Sequence, residues 1–366
     1  MSSAPAPTNA VGVNISRILR AVSIIIPLAF AGNIIYALVA TDFSLLGGLG
    51  NYSIIYLASA VVLVFIPWAA HATRIYLWGR AFRKELNFGN SFKTAVATDI
   101  GAALTPSTIG GSYAKLGILT TYGFSPGEAT LVTLLGTIED AGFFAIALPL
   151  SLVITGAWDD PGVKQLLRNF GSYWPWFLAI GAVVILAYAL LVSWRRNKST
   201  AVLAAPENAS RSIFSRLRAK WREYKGQFAS ASKFVREKHR RTFLACILFS
   251  GIGWTCRYSV ITLLVLGLGY PADLVLFFFL QWVVFTLMGL FPTPGAVGGA
   301  EISFALIFRG FVPSGAIPII TGAWRFLTFY LIMIVGALIV VFFGAGNFDR
   351  KLKRLPQDAA AEINVK

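Results

Sequence analysis

The sequence predicts an all-α polytopic membrane protein, and three observations carry that prediction. Only 13% of the 366 residues are charged and 56% are hydrophobic, about half the charged share of a soluble domain. Apolar runs of about 20 residues, the length that crosses a bilayer as a helix, recur along the chain. Lys and Arg gather in the connections between those runs, as they do in cytoplasmic loops of membrane proteins.

Residues 1–17 form a tail expected on the cytoplasmic side. No A-x-A site follows the first apolar run, so that run reads as a retained helix and not a signal peptide. About six spanning helices are expected, at 18–40, 52–73, 129–155, 174–194, 243–268 and 316–344. Between them lie two interrupted stretches. Residues 90–124 are broken at Thr105, Pro106, Gly110 and Gly111, and residues 272–311 at Pro292, Pro294, Gly295, Gly298 and Gly299. Such breaks free backbone N–H and C=O groups that hydrocarbon cannot satisfy, so the backbone there must be shielded by protein or line a wet cavity. Both stretches are therefore expected to be re-entrant helical hairpins. The 195–241 connection holds 14 Lys or Arg against Glu207, Glu223 and Glu237, which is +11 of the chain's +16. It is expected in the cytoplasm, as are both termini, including the 345–366 tail. Threading the spans with these constraints opens the first hairpin towards the cytoplasm and the second towards the outside.

The basic charge lies beside membrane helices and matches an anionic lipid surface, not nucleic acid. Within the basic loop, Phe214, Leu217, Trp221, Tyr224 and Phe228 recur at helical spacing among basic residues, the pattern of an amphipathic helix lying on the membrane. Trp68, Trp78, Trp174, Trp176 and Trp194 sit near span ends and are expected in interface belts. Pairs such as Gly47-Gly48 permit a homodimer. No nucleotide-binding lysine loop is present, which excludes ATP coupling within the chain. Cys246 and Cys256 have no metal-ligand spacing, and His71 and His239 lie far apart, so no metal and no cofactor is expected.

The interruptions repeat one another. Thr105-Pro106-Ser107-Thr108-Ile109-Gly110-Gly111 returns as Thr293-Pro294-Gly295-Ala296-Val297-Gly298-Gly299, followed in each case by F-x-P-x-x-A at Phe124 and Phe311. An arginine precedes each copy, Arg74 and Arg257. Lys115 and Glu139 are 24 positions apart, as are Glu301 and Arg325, with the signs exchanged. With the hairpins placed on opposite sides, residues 18–173 and 174–344 are expected to be two inverted repeats, an arrangement that commonly holds a substrate near the midplane.

Lys115, Glu139, Asp140, Glu301 and Arg325 would together cost on the order of 10 kcal/mol if left unpaired in hydrocarbon. Lys115 with Glu139 and Glu301 with Arg325 are the candidate pairs, either fixing the fold or lining a polar path for a charged headgroup. Arg74 and Arg257 would add attraction for a lipid phosphate. The loop glycines would let backbone approach a ligand, and the helix starts that follow would offer N–H groups to an anion. Asp99, one turn before the first break, could cap or bind.

The segment from Phe291 to Glu301 resembles the P-x-P-G-G-x-G-x-x-E signature of the lysylphosphatidylglycerol synthase transmembrane region, also called the flippase-like or UPF0104 family. Pro106 to Lys115, Gly127-Glu128 and Glu139-Asp140 fit the family's first half more loosely. Two departures stand out: Ala296 replaces the second of the paired glycines, and Lys115 stands where an acidic residue or arginine is expected. The resemblance implies a helical domain with broken helices that moves lipids between leaflets. Only 22 residues follow Gly344, so the soluble synthase chemistry of the best-known members is not expected. The expected function is thus an ATP-independent lipid translocase of the bacterial inner membrane, and not an enzyme. Its substrate would be a phosphatidylglycerol derivative, a polyprenyl-phosphate-linked lipid or a hopanoid. The alternatives are a membrane glycosyl- or acyl-transferase using Asp99 with Glu128, and a scaffold that recruits a synthase through its basic loop.

Overall fold

The computed structural model describes residues 53–105, 109–159, 239–291 and 293–339, with a few isolated positions between 163 and 237. The expected spans 18–40 and 174–194, Gly47-Gly48, most of the basic loop and both tails lie outside the described residues, as do Trp174, Trp176, Trp194 and Pro106. Two compact units are present, 1–155 with 241–366 and 156–240. The helices below build the first.

The described residues form α1 (Ile54–Ala81), α2 (Phe88–Leu104), α3 (Ile109–Thr121), α4 (Pro126–Thr155), α5 (Arg240–Gly267), α6 (Leu274–Met288), α7 (Gly299–Phe308) and α8 (Ile317–Arg325). A π-helical turn, Phe326–Leu331, carries α8 onward, so that 314–339 is one continuous helical rod. No strand occurs among them. Four are long and apolar enough to cross a membrane: α1, α4, α5 and Ser314–Ile339. They correspond to four of the six expected spans. Large apolar side chains on them stay exposed, among them Ile146, Leu150 and Val153 on α4, Leu244 and Leu248 on α5, and Leu338. A face of that kind suits lipid tails and would be a liability in water.

The interrupted stretches are helical pairs, as expected. Their members run 17, 13, 15 and 10 residues, each short of the roughly 20 needed to span. Asn87 caps α2 by accepting from Asn90 N at 2.8 Å, and Asp273 caps α6 in the same way from Leu276 N at 2.7 Å. Helix α2 stops at Thr105, whose extended backbone (φ −117°, ψ 143°) is the conformation a following proline imposes. Helix α4 starts with Pro126 in its first turn and a capping box. Ser125 N donates to Glu128 Oε2 at 2.7 Å and Glu128 N to Ser125 Oγ at 3.3 Å. The same Glu128 meets Lys84 Nζ at 2.9 Å, fastening the start of α4 to the segment after α1.

Glycine lets α2 and α3 pack backbone to backbone. A Cβ on Gly111 would sit 2.7 Å from the Thr98 carbonyl oxygen, and one on Gly101 2.9 Å from that of Gly110. The second break is a different device. Gly295 and Gly298 adopt left-handed conformations (φ +62° and +81°), and a Cβ on Gly295 would collide with the Phe329 ring. Ala296 is also left-handed, at φ +51°, which costs an L-residue about 1–2 kcal/mol.

Trp68 joins α1 to α2 and to the last rod, packing with Val96, Ile100, Phe329, Tyr330 and Met333. A second aromatic group runs from Trp254 through Tyr258 and Phe285 to Trp324, Phe304 and Phe308, with ring centroids 4.5–6.1 Å apart. Such offset and edge-on contacts add specificity to apolar burial.

Candidate functional site

Two charged clusters stand within the bundle, one at each interrupted stretch. The first is organised by Arg74 on α1. Its Nε donates to Glu139 Oε2 at 2.7 Å, its Nη1 to Asp140 Oδ1 at 2.8 Å and its Nη2 to the Gly136 carbonyl at 2.6 Å. Gly136, Glu139 and Asp140 come together because positions three and four apart on α4 share a face. Trp78 Nε1 donates to the other Glu139 oxygen at 2.6 Å, and Ser250 Oγ on α5 to Asp140 Oδ1 at 2.6 Å. Glu139 is fully buried, so each oxygen has its donor. A charge-assisted bond of this kind contributes about 1.5–3 kcal/mol.

Lys115 is not the partner of Glu139, contrary to the expectation from their spacing. Arg74 takes that carboxylate because its planar fork reaches Glu139, Asp140 and a carbonyl at once. Among the described residues no carboxylate oxygen lies within 4 Å of Lys115 Nζ. Its neighbour is His71 Nε2 at 3.4 Å. The other ring nitrogen of His71 lies 3.8 Å from Asp99 Oδ1. The second oxygen of Asp99 accepts from Trp68 Nε1 at 3.1 Å and Arg257 Nη2 at 3.2 Å. Arg257 also rests against the Trp254 ring, 5.5 Å from its centroid.

These groups surround a cavity of about 200 Å³ built from five helices. Its walls include His71 and Arg74 from α1, Asp99 from α2, Ser112 and Lys115 from α3, Asp140 from α4, and Ser250, Trp254 and Arg257 from α5. Three cations and two carboxylates thus face one polar space.

The second cluster is closed. Arg325 Nε lies 3.2 Å from Glu301 Oε1, its Nη2 donates to the Gly295 carbonyl at 2.9 Å, and its guanidinium stacks 4.6 Å from the Phe329 ring centroid. Glu301 Oε2 accepts from Gly298 N at 2.7 Å. Arg325 is 2% exposed and Glu301 9%. Glu301 and Arg325 are thus paired with each other, as their spacing suggested.

The helix starts after the two breaks are not open to an anion at the N–H groups of Gly110 and Gly298. Gly110 N donates to Thr105 Oγ1 at 2.8 Å, and Thr105 in turn donates to the Gly101 carbonyl at 2.9 Å. Gly298 N is taken by Glu301. Thr293 likewise ties its own loop, donating to the Val297 carbonyl at 3.0 Å. Gly110, Gly111, Gly295 and Gly299 serve close packing of the protein on itself. A Cβ on Gly299 would collide with the Phe291 ring.

A family model described as the lysylphosphatidylglycerol synthase TM region matches residues 18–336. The chain belongs to that family. A UPF0104 membrane protein of Archaeoglobus fulgidus is 26% identical over 289 residues, covering 75% of this chain and 82% of that protein. In this member of the lysylphosphatidylglycerol synthase transmembrane family, the signature Glu301 caps a helix and neutralises Arg325. Ala296, the departure from the paired glycines, occupies a backbone conformation that suits glycine.

Four of the named side chains of the first site, His71, Ser112, Ser250 and Trp254, escape a reading of the sequence. His71 is a lone histidine, but it lies three positions before Arg74 and so shares its face. Trp254 stands in the same relation to Arg257. Ser250, seven before Arg257, is indistinguishable in sequence from other small residues of α5. Trp68 and Trp78 do not belong to an interface belt. Helix α1 runs on to Ala81, both tryptophans are 1% exposed, and their N–H groups serve Asp99 and Glu139. Glu128 is absent from the cavity wall, where Asp99 stands, so the expected pairing of Asp99 with Glu128 does not occur in that cavity.

Proposed function

We propose that this protein is an ATP-independent lipid translocase that passes a phosphate-bearing headgroup between leaflets while the acyl chains stay in lipid, and that it transports the lipid without transforming it. The observation that carries this reading is the mixed-charge cavity lined by Lys115, Arg257, Asp99 and Asp140 among helices suited to a membrane. At about 200 Å³ it falls below the 300–1,000 Å³ of sites that enclose a drug-sized ligand, which fits a headgroup and excludes a whole lipid. Burying a charged headgroup in hydrocarbon is the main barrier to flipping, and fixed charges and hydroxyls along a protein wall replace the lost water. Lys115 and Arg257 would meet the phosphate, and Asp140 or Asp99 any amino group.

In this proposal the two interrupted stretches are re-entrant hairpins of two inverted repeats. Repeated Thr-Pro…Gly-Gly breaks and similar short helix pairs support that reading. The setting is the bacterial inner membrane with both tails in the cytoplasm, an orientation that rests on the distribution of Lys and Arg, and the basic loop would rest on anionic lipid.

A leaflet-exposure assay in proteoliposomes tests the reading with fluorescent phosphatidylglycerol, its lysyl ester and a polyprenyl phosphate. Protein-dependent exchange of at least one of them is expected, slowed about tenfold, or ~1.4 kcal/mol in barrier, by Lys115→Ala. Absence of exchange for every lipid, in protein that elutes as a folded species, would refute it.

A further inference from the structure

His71 occupies a position that neither the family signature nor the charge pairs account for. It stands between a cation and an anion that do not otherwise touch: Lys115 Nζ is 3.4 Å from Nε2, and Asp99 Oδ1 is 3.8 Å from Nδ1. The arrangement suits a neutral ring with its proton on Nδ1, facing Asp99, and the Nε2 lone pair accepting from the Lys115 ammonium. Adding a proton to Nε2 removes that acceptor and sets two positive charges against each other. Every wall of the cavity contributes to the balance around this ring: Arg74 on its own helix, Asp99 on α2, Lys115 on α3, Asp140 on α4 and Arg257 on α5.

Two of those cations already have their countercharge. Arg74 is committed to Glu139 and Asp140, and Arg257 to Asp99. Lys115 has none within 4 Å among the described residues, and a protonated His71 would have only Asp99, shared with Arg257. An anion entering the cavity between Lys115 and Arg257 supplies the missing negative charge. Its presence therefore favours the proton on His71, and by reciprocity the proton favours the anion.

We infer that the cavity binds the phosphodiester of a lipid headgroup together with one proton, taken from water onto His71 Nε2. The inference rests on the translocase reading and adds to it a coupling between headgroup and proton. Release of the headgroup on the far side would return the proton, so a pH difference across the membrane would bias the direction of exchange.

The chain has only two histidines, so His239→Gln leaves His71 as the sole imidazole and its titration can be followed by NMR of ring-labelled protein in detergent. The probe is glycerophosphoglycerol, a diester whose charge stays at minus one throughout the range used. Calorimetry of its binding in buffers of different ionisation enthalpy, carried from about pH 8 down to about pH 5, counts the protons taken up. The expected result is uptake approaching one proton, an affinity that rises as pH falls, and a His71 titration midpoint moved upward by ligand. About tenfold tighter binding corresponds to about one pH unit. In His71→Gln, uptake and the pH dependence disappear. Binding without proton uptake in the wild type, or with uptake unchanged in His71→Gln, overturns the coupling while leaving the headgroup site intact. Failure of the diester to bind at any pH sinks the headgroup reading and the coupling together. If His71→Gln does not fold, the NMR midpoint with and without ligand decides, and an unmoved midpoint overturns the coupling.

Discussion

The two broken-helix regions share a sequence pattern and differ in their charge accounts. At the second break one carboxylate meets one guanidinium, the Gly298 N–H and the Gly295 carbonyl each make one further bond to the pair, and Phe329 closes over it. At the first, Arg74 absorbs two carboxylates, and Lys115 is left facing a histidine at the edge of a polar cavity. Similar loops with opposite-signed residues at matching intervals thus accompany a closed ion pair in one place and a polar cavity in the other. The lesson is that intramembrane charge by itself does not mark a binding site. What distinguishes one is charge left without a permanent partner beside space that a ligand can fill.

Substitutions should separate the two regions, and the largest effect is expected where pairing is most complete. Arg74→Met strands Glu139 and Asp140 in the bundle. It should cost about 3–5 kcal/mol, the usual result of breaking a buried ion pair from one side, seen as early thermal unfolding in detergent. A loss below about 1 kcal/mol would mean that water reaches Glu139. Next in size is Glu301→Gln, which keeps an acceptor for Gly298 N–H but removes the charge facing Arg325. A loss of about 2 kcal/mol is expected from one charge-assisted bond, with headgroup affinity less affected than stability. Lys115→Ala should show the opposite profile: unfolding within about 1 kcal/mol of wild type, because no ion pair is broken, but lipid exchange slowed about tenfold. If both substitutions proved equally destabilising, the distinction between closed pair and site would collapse. Smallest of all, Ala296→Gly should stabilise the protein by about 1 kcal/mol by relieving a left-handed alanine, a modest rise in melting temperature.

Much of this architecture is legible in the sequence, and the part that is not has a physical reason. The four described spans and both helix pairs follow from apolar run length and from Pro and Gly breaks, which are local signals. Glu301 with Arg325 is also legible, since the repeat sets them at a fixed interval. The first cluster misleads because the same interval suggests Lys115 with Glu139. The competing partner, Arg74, is 65 positions from Glu139, and only tertiary packing brings it there. Trp68 and Trp78 mislead differently. Their place near the end of an apolar run fits an interface belt, but α1 continues for two more turns and aims both indoles at carboxylates. The glycines of the first break read as room for a ligand, whereas the room is filled by α2 against α3.

The claim that the first cluster is open to a headgroup and the second is sealed is tested most directly by thiol labelling in a Cys246→Ala, Cys256→Ala background. Ser112→Cys places a thiol on the cavity wall, and Ser303→Cys places one two residues from Glu301, where the native side chain is 2% exposed. With a charged, membrane-impermeant thiosulfonate in proteoliposomes, Ser112→Cys should label quickly, and phosphatidylglycerol should slow that labelling where diacylglycerol does not. Ser303→Cys should label slowly with either lipid. Equal labelling at the two positions, or labelling of Ser112→Cys that ignores phosphatidylglycerol, would contradict the account.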